Sequence, residues 1–182
     1  MKMHLRPLLA LVAVVALALT ARADRKSPHE TTSTVVAGSR VTVTYGRPYT
    51  KSPKTGEIRI IWGGLVPWDE PDRLGADEAT LLLTEKPLVF GPTTLPAGAY
   101  TLYQIPHASG GLSLAFSSAI GKWGVPVDTQ HDVARIELAA ASLPAAVDQL
   151  TIAIAKDAAT GGGVLKISWE KTAYSVPFTV AK

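Results

Sequence analysis

The sequence predicts an all-β fold, an antiparallel β-sandwich of jelly-roll type with about 9–11 strands and little helix. Three observations carry that prediction. Apolar and polar residues alternate with a period of two from one end to the other, Gly and Pro turn signals recur at short intervals, and no stretch keeps helical spacing. Alternation of this kind sets one row of side chains on a core and the next toward water, as a half-buried strand requires.

The elements follow in order. A pair near 33–37 and 39–45 is divided by Ala37-Gly38, and in its second member Val41, Val43 and Tyr45 alternate with Arg40, Thr42 and Thr44. Further strands are expected near 58–62, 79–84, 87–90 and 98–105, the last opened by the turn Leu95-Pro-Ala-Gly98. Leu112, Leu114 and Phe116 define a strand near 111–117, behind the turn Ser109-Gly-Gly111. Segments near 133–138 and 149–156 come next, the latter with Leu150, Ile152 and Ile154 on one face. Between them, Ala139 to Val147 is the best helical candidate, but Pro144 breaks it, so a connector with at most one turn is expected. The chain closes with a pair near 163–170 and 173–180, in which Leu165, Ile167 and Trp169 face away from Lys166, Ser168 and Glu170. Pro177 lies inside the last strand and has no N–H for a ladder, which predicts an edge position or a bulge.

Gly46 to Asp77 breaks the regularity: apart from Ile58 to Trp62 it is rich in Pro, Gly, Arg and Trp. A long irregular segment in a compact domain is functional or disordered, and the tryptophans argue against disorder. Candidate binding residues are therefore sought here first.

The amino terminus reads as a leader. Lys2 and Arg6 precede the apolar run Leu8 to Leu19, and Ala21-Arg22-Ala23 supplies a cleavage site, so residues 1–23 are expected to be a signal peptide and 24–182 one β-sandwich domain. The run is too short to span a bilayer, which asks for about 20 residues, so no membrane anchor is expected after cleavage. The formal charge of +3 comes from 18 Lys+Arg against 15 Asp+Glu, and Lys2, Arg6 and Arg22 would leave with the leader. A balanced mature chain without a basic run excludes nucleic acid as a partner and gives no global attraction to acidic membranes. With Cys 0 there are no disulfides, no acylated cysteine and no thiolate metal site. The chain also has no asparagine and hence no N-glycosylation acceptor; with its many alanines it fits a bacterial periplasmic or secreted protein.

Several side chains have chemistry to offer. Tyr45 and Arg47 stand two apart, so both leave one face of a strand just before Pro48, and a phenol beside a guanidinium suits a carboxylate, phosphate or sugar. The competing reading is an ion pair from Arg47 to Asp77 or Glu78 that pins two loops. Asp77 and Glu78 are adjacent, so in an extended strand they point to opposite faces, which makes them a poor glycosidase dyad unless the segment is still a turn. His29 beside Glu30, and His131 beside Asp132, invite a metal reading in which groups from different segments meet in space. His107, in a Gly-rich turn, reads as a solvent-exposed loop residue. Trp62, Trp68 and Trp123 lie by Gly-rich loops, able to stack on a sugar or to plug the core, whereas Trp169 alternates with a core row. There is no G-x-S-x-G elbow, H-E-x-x-H, phosphate loop or dinucleotide fingerprint.

Five strings give a family resemblance: Ser27-Pro-His-Glu30, Tyr45-Gly-Arg-Pro48, Gly63-Gly-Leu-Val-Pro67, Arg73-Leu-Gly-Ala-Asp-Glu-Ala-Thr80 and Leu95-Pro-Ala-Gly-Ala-Tyr-Thr-Leu102. In this order and spacing the chain resembles the bacterial domain-of-unknown-function family 2911 over essentially its whole mature length. The resemblance implies an exported protein built mostly of β-strand and carries no established activity or cofactor. Relatives in this family usually place Trp before the arginine and Thr after it, where this chain has Asp72 and Leu74, and often Asn where it has Asp77.

Three functions compete. The first is a non-catalytic protein binding a small anionic or sugar-like ligand at the 46–78 loops through Tyr45, Arg47, Trp62, Arg73, Asp77 and Glu78. The second is a metal-dependent enzyme using groups such as His29, Asp77, Glu78, His131 and Asp132. The third is a structural or partner-binding envelope module with an adhesive edge strand.

Overall fold

The computed structural model describes residues 25–181, so the leader expected at 1–23 lies outside the described residues. Ten strands appear: β1 (His29–Val36), β2 (Ser39–Gly46), β3 (Asp72–Arg73), β4 (Ala76–Thr84), β5 (Leu88–Phe90), β6 (Thr93–Leu95), β7 (Gly98–Pro106), β8 (Leu112–Ser117), β9 (Asp132–Lys156) and β10 (Gly163–Val180). All pairings between these strands are antiparallel and no helix occurs among the described residues, so the predicted all-β class holds. It follows that no described helix is long and apolar enough to cross a membrane.

Hydrogen bonding runs along one open path, β1-β2-β4-β7-β8-β9-β10-β5-β6, with β3 attached to β7. That path folds back on itself. Tyr45 on β2 bonds to Ile152 on β9, although β4, β7 and β8 lie between those two strands on the path. The fold-back encloses the main core, where Val41, Val43 and Tyr45 of β2 join Leu112, Leu114 and Phe116 of β8 and the Leu150, Ile152, Ile154, Leu165, Ile167 and Trp169 rows. These are the rows that the period-two pattern assigns to the inside.

Two local expectations need correction. Ile58–Trp62 is not a strand: it makes only isolated bridges, Lys51 with Ile58 and Trp62 with Val66, and Ile58 and Ile60 lie in solvent. Alternation there misled because Pro53, Gly56 and Gly63-Gly64 leave the segment no neighbour long enough for a ladder. Ala139 to Val147 is strand rather than connector. The β9 register slips against β10 between Ser142 and Val147, placing Pro144 in a bulge where it owes no N–H. Pro177 is accommodated similarly, between Ser175, the last residue paired to β9, and Thr179, the first paired to β5.

The Tyr45 hydroxyl accepts from the Ile152 N–H at 2.8 Å and donates to the Ile152 carbonyl at 3.3 Å, and the side chain is only 1% exposed. Burial is the main reason its phenol is pushed above its ordinary pKa. Tyr45→Phe is expected to strand the Ile152 amide and lower stability by about 1–3 kcal/mol, read as an earlier urea midpoint with an unchanged m-value.

Candidate functional site

The second half of β9 exposes an edge that β10 does not cover, and residues 45–50 cover it. Leu150 N donates to Pro48 O at 3.0 Å, Thr50 N to Asp148 O at 2.6 Å, and Tyr49 bridges Gln149. Arg47 completes the seam. Its Nε donates to Leu150 O at 3.1 Å, its Nη2 to Thr151 Oγ1 at 2.9 Å, and its Nη1 pairs with Glu30 Oε2 at 2.6 Å. Arg47 thus fastens loops, as its competing reading has it, but through Glu30 rather than Asp77 or Glu78.

Two further strings meet this seam. Gly46 pairs with Ala76, and a Cβ on Gly46 would lie 2.2 Å from Ala76 O, while one on Gly75 would lie 2.8 Å from Gly46 O. Only glycine permits such contact of backbones. The chain then bends through Gly75 (φ 104) and Asp77 (φ 62) before β4 becomes regular, with Thr80 Oγ1 donating to Leu74 O across the bend. This bend answers the question of the adjacent carboxylates. With positive φ at Asp77 both carboxylates come within reach of one imidazole, His29 Nε2 lying 3.0 Å from Asp77 Oδ2 and 3.6 Å from Glu78 Oε2. Arg25 Nη2 reaches Glu78 Oε1 at 2.5 Å.

A cleft opens on each side of the bend. One, of about 430 Å³, is lined by His29, Glu78, Lys122 and Trp123, the last 54% exposed. The other, of about 440 Å³, is lined by the cations Lys26, Lys54, Arg59 and Arg73 and the acids Asp72 and Asp77. In this second cleft Arg59 is anchored by donating to the carbonyls of Tyr49 and Thr50. Arg73, held on β3 against Tyr103 of β7, donates from Nη1 to Asp77 O at 3.2 Å and forms no carboxylate ion pair among the described residues. Asp72 pairs with Gln104 of β7; burial raises its carboxyl above the usual range, against the opposing Gln104 hydrogen bond and Arg73 charge. Gln104 is 1% exposed and its Oε1 has no partner.

Of the residues singled out from sequence, Arg73 and Asp77 line the cationic cleft, while Tyr45, Glu78 and His29 line the other. Trp62 does not open onto either: it packs edge-on against Trp169 at 6.4 Å and Tyr174 at 5.0 Å, at the margin of the core. His131 pairs with Asp128 at 3.0 Å rather than with Asp132. Lys122 reaches the same carboxylate at 2.8 Å, and the hydrogen bonds from Lys122 and His131 hold Asp128 well below the ordinary carboxylate range. Asp132 instead accepts from Tyr103 OH at 2.5 Å and from Arg135 Nη2 at 2.7 Å. No group of three or more His, Asp or Glu side chains among the described residues is placed to hold a metal ion.

His107 lies in a loop as expected, but it is half-buried and bonded on both ring nitrogens. Its Nδ1 lies 3.2 Å from Asp69 Oδ1 and its Nε2 2.8 Å from Ser113 Oγ, which resembles a nucleophile relay. Yet Ser113 is 5% exposed and donates to Glu137, and it lines neither cleft, so the set serves as a polar fastener. Sequence reading also missed Lys26, Lys54, Arg59 and Gln104. The available signals were Lys26 directly before a family string and a polar Gln104 in the core-facing row of Tyr100 and Leu102.

An antiparallel all-β protein with strapped loops and two flanking clefts is the class these features define. The sequence pattern of the family described as "Protein of unknown function (DUF2911)" matches residues 27–178, and the chain belongs to that family. No curated protein and no solved structure matches it.

Tyr103, 2% exposed, has its phenol pushed up to about 12, first by burial and then by the hydrogen bond to Asp132. Asp132→Asn is expected to lower that value, seen as phenolate absorbance appearing at lower pH. Asp132→Ala is expected to cost about 1–3 kcal/mol of stability, since Tyr103 and Arg135 lose their shared acceptor.

Proposed function

We propose that the chain is a non-catalytic binding protein for a small anion bearing a carboxylate or phosphate, and that the cleft between Lys26, Lys54, Arg59 and Arg73 is its site. The observation that carries this reading is the Arg73 guanidinium, which lines the cleft without an ion-pair partner among the described residues. A guanidinium offers five donors in a planar fork, and one hydrogen bond to Asp77 O leaves the means for a paired contact with an anion. Three further cations raise the local potential, and a cleft of about 440 Å³ suits a small molecule. The leader-like start of the sequence is consistent with this binding taking place outside the cytoplasm. No observation favours metal-dependent catalysis over binding.

Titration calorimetry with inorganic phosphate and with citrate tests the reading. Saturable binding by the wild type, weakened by about 10–100-fold in Arg73→Ala, is expected from the loss of a charged hydrogen-bond donor. If neither anion binds, or if the alanine variant binds as tightly, the cleft is not an anion site.

Asp72 gives a second, independent readout. Its carboxyl titrates above the usual range because it is buried, so protonation removes a negative charge from the cleft and anion affinity should rise as pH falls through that titration. The sign for stability agrees. A raised folded pKa means that the native state binds more protons between the unfolded and folded values, so stability increases as pH drops across that window. Asp72→Asn should show the stronger binding at neutral pH and flatten both profiles.

A further inference from the structure

Ile58 and Ile60 are 72% and 77% exposed, the two most exposed large apolar side chains among the described residues. They adjoin a small hairpin in which Lys51 bridges Ile58 and Ser52 N donates to Glu57 O at 2.7 Å; between Lys51 and Ile58 only Ser52 is even half-buried. Leu65, 43% exposed, donates its backbone N–H to Ile60 O at 2.9 Å, so the chain turns back to set Leu65 beside Ile60. Isolated exposed isoleucines need no explanation, but a cluster at a projecting tip does.

The surroundings identify the kind of surface that fits it. Lys51, Lys54 and Arg59 flank the isoleucines against a single acid, Glu57, in the stretch 51–60. Partly exposed Tyr49 and Trp68 stand in the neighbouring sequence at 38% each. Lysine is depleted from protein interface cores, whereas apolar tips ringed by cations, with Tyr and Trp close by, match the boundary of an anionic bilayer. Each cation near such a surface adds attraction that screening by salt removes. The balanced charge of residues 24–182 gives no global pull toward membranes, but the Lys51–Ile58 bridge sets Lys51 and Lys54 on the same small hairpin.

We infer that the Lys51–Leu65 tip docks the protein peripherally on an anionic lipid surface, with Ile58 and Ile60 entering the headgroup boundary. The tip borders the anion cleft and shares Lys54, Arg59 and Leu65 with its lining, but the inference does not require that cleft to bind an anion.

Vesicle co-sedimentation of residues 24–182 tests the inference; omitting the apolar run Leu8 to Leu19 removes a second membrane-seeking segment. Binding to phosphatidylglycerol vesicles, absence of binding to phosphatidylcholine vesicles, and weakening by added salt are expected. Ile58→Ser with Ile60→Ser should reduce binding by at least about tenfold, and both sites are exposed enough to leave folding intact. Arg73→Ala, which disables the cleft, should leave vesicle binding unchanged. Wild-type protein that stays in the supernatant, or a double serine variant that binds as well as wild type, overturns the inference. So does a loss of vesicle binding in Arg73→Ala, which moves lipid recognition to the cleft. A wild-type dimer in solution that the double serine variant abolishes assigns the cluster to a second copy of the chain instead.

Discussion

The free edge of β9 is the constraint around which the molecule is organised. Beyond Val147 this strand has β10 on one side only, and its other row of amides and carbonyls faces the interior of a folded-back sheet rather than water. A buried backbone group without a partner costs about 1–3 kcal/mol, so such an edge must be capped or the fold-back fails. Tyr45 caps Ile152, Arg47 and Pro48 cap Leu150, Thr50 caps Asp148, and Thr34 Oγ1 donates to Ile154 O at 2.7 Å. A side-chain and loop seam thus does the work of a missing strand.

The seam explains why the family strings converge. Pro28 O accepts from Arg47 N at 2.8 Å, Glu30 neutralises the Arg47 guanidinium, and Gly46 brings the Arg73–Thr80 bend into backbone contact. Placing that bend against a glycine pair forces positive φ at Gly75 and Asp77, and the Asp77 conformation in turn aims two consecutive carboxylates at His29. The clefts therefore inherit their walls from a structural necessity.

What the sequence made legible follows from periodicity. The rows Val41-Val43-Tyr45, Leu112-Leu114-Phe116 and Leu150-Ile152-Ile154 were readable because a two-residue repeat with one apolar face has a single burial solution. Ile58 to Trp62 shows the limit of that signal: local alternation without a partner strand yields exposed isoleucines, and partner availability is a long-range property. Ala139 to Val147 fails for the opposite reason, since β10 supplied a partner that overrode both Pro144 and the alanine content. For the site, the Tyr45–Arg47 spacing correctly placed both groups on one face, but their acceptors on β9 lie more than a hundred residues away. The shared face of Asp77 and Glu78 depended on one backbone angle that no composition reveals.

The two arginines of the family strings show how the same chemistry divides between structure and binding. Arg47 and Arg73 both follow short turn-forming sequences, and both reach backbone carbonyls. Arg47 lies where the β9 edge and Glu30 supply acceptors in three directions, so its charge is neutralised inside the protein. Arg73 lies on a two-residue strand whose neighbours offer a carbonyl and, in Asp72, a carboxyl that burial shifts toward its neutral form. Burial raises the Asp72 carboxyl while the Arg73 charge opposes that rise, so the two groups still attract one another. The cleft retains a positive field because four cations, Lys26, Lys54, Arg59 and Arg73, line it against two acids, Asp72 and Asp77.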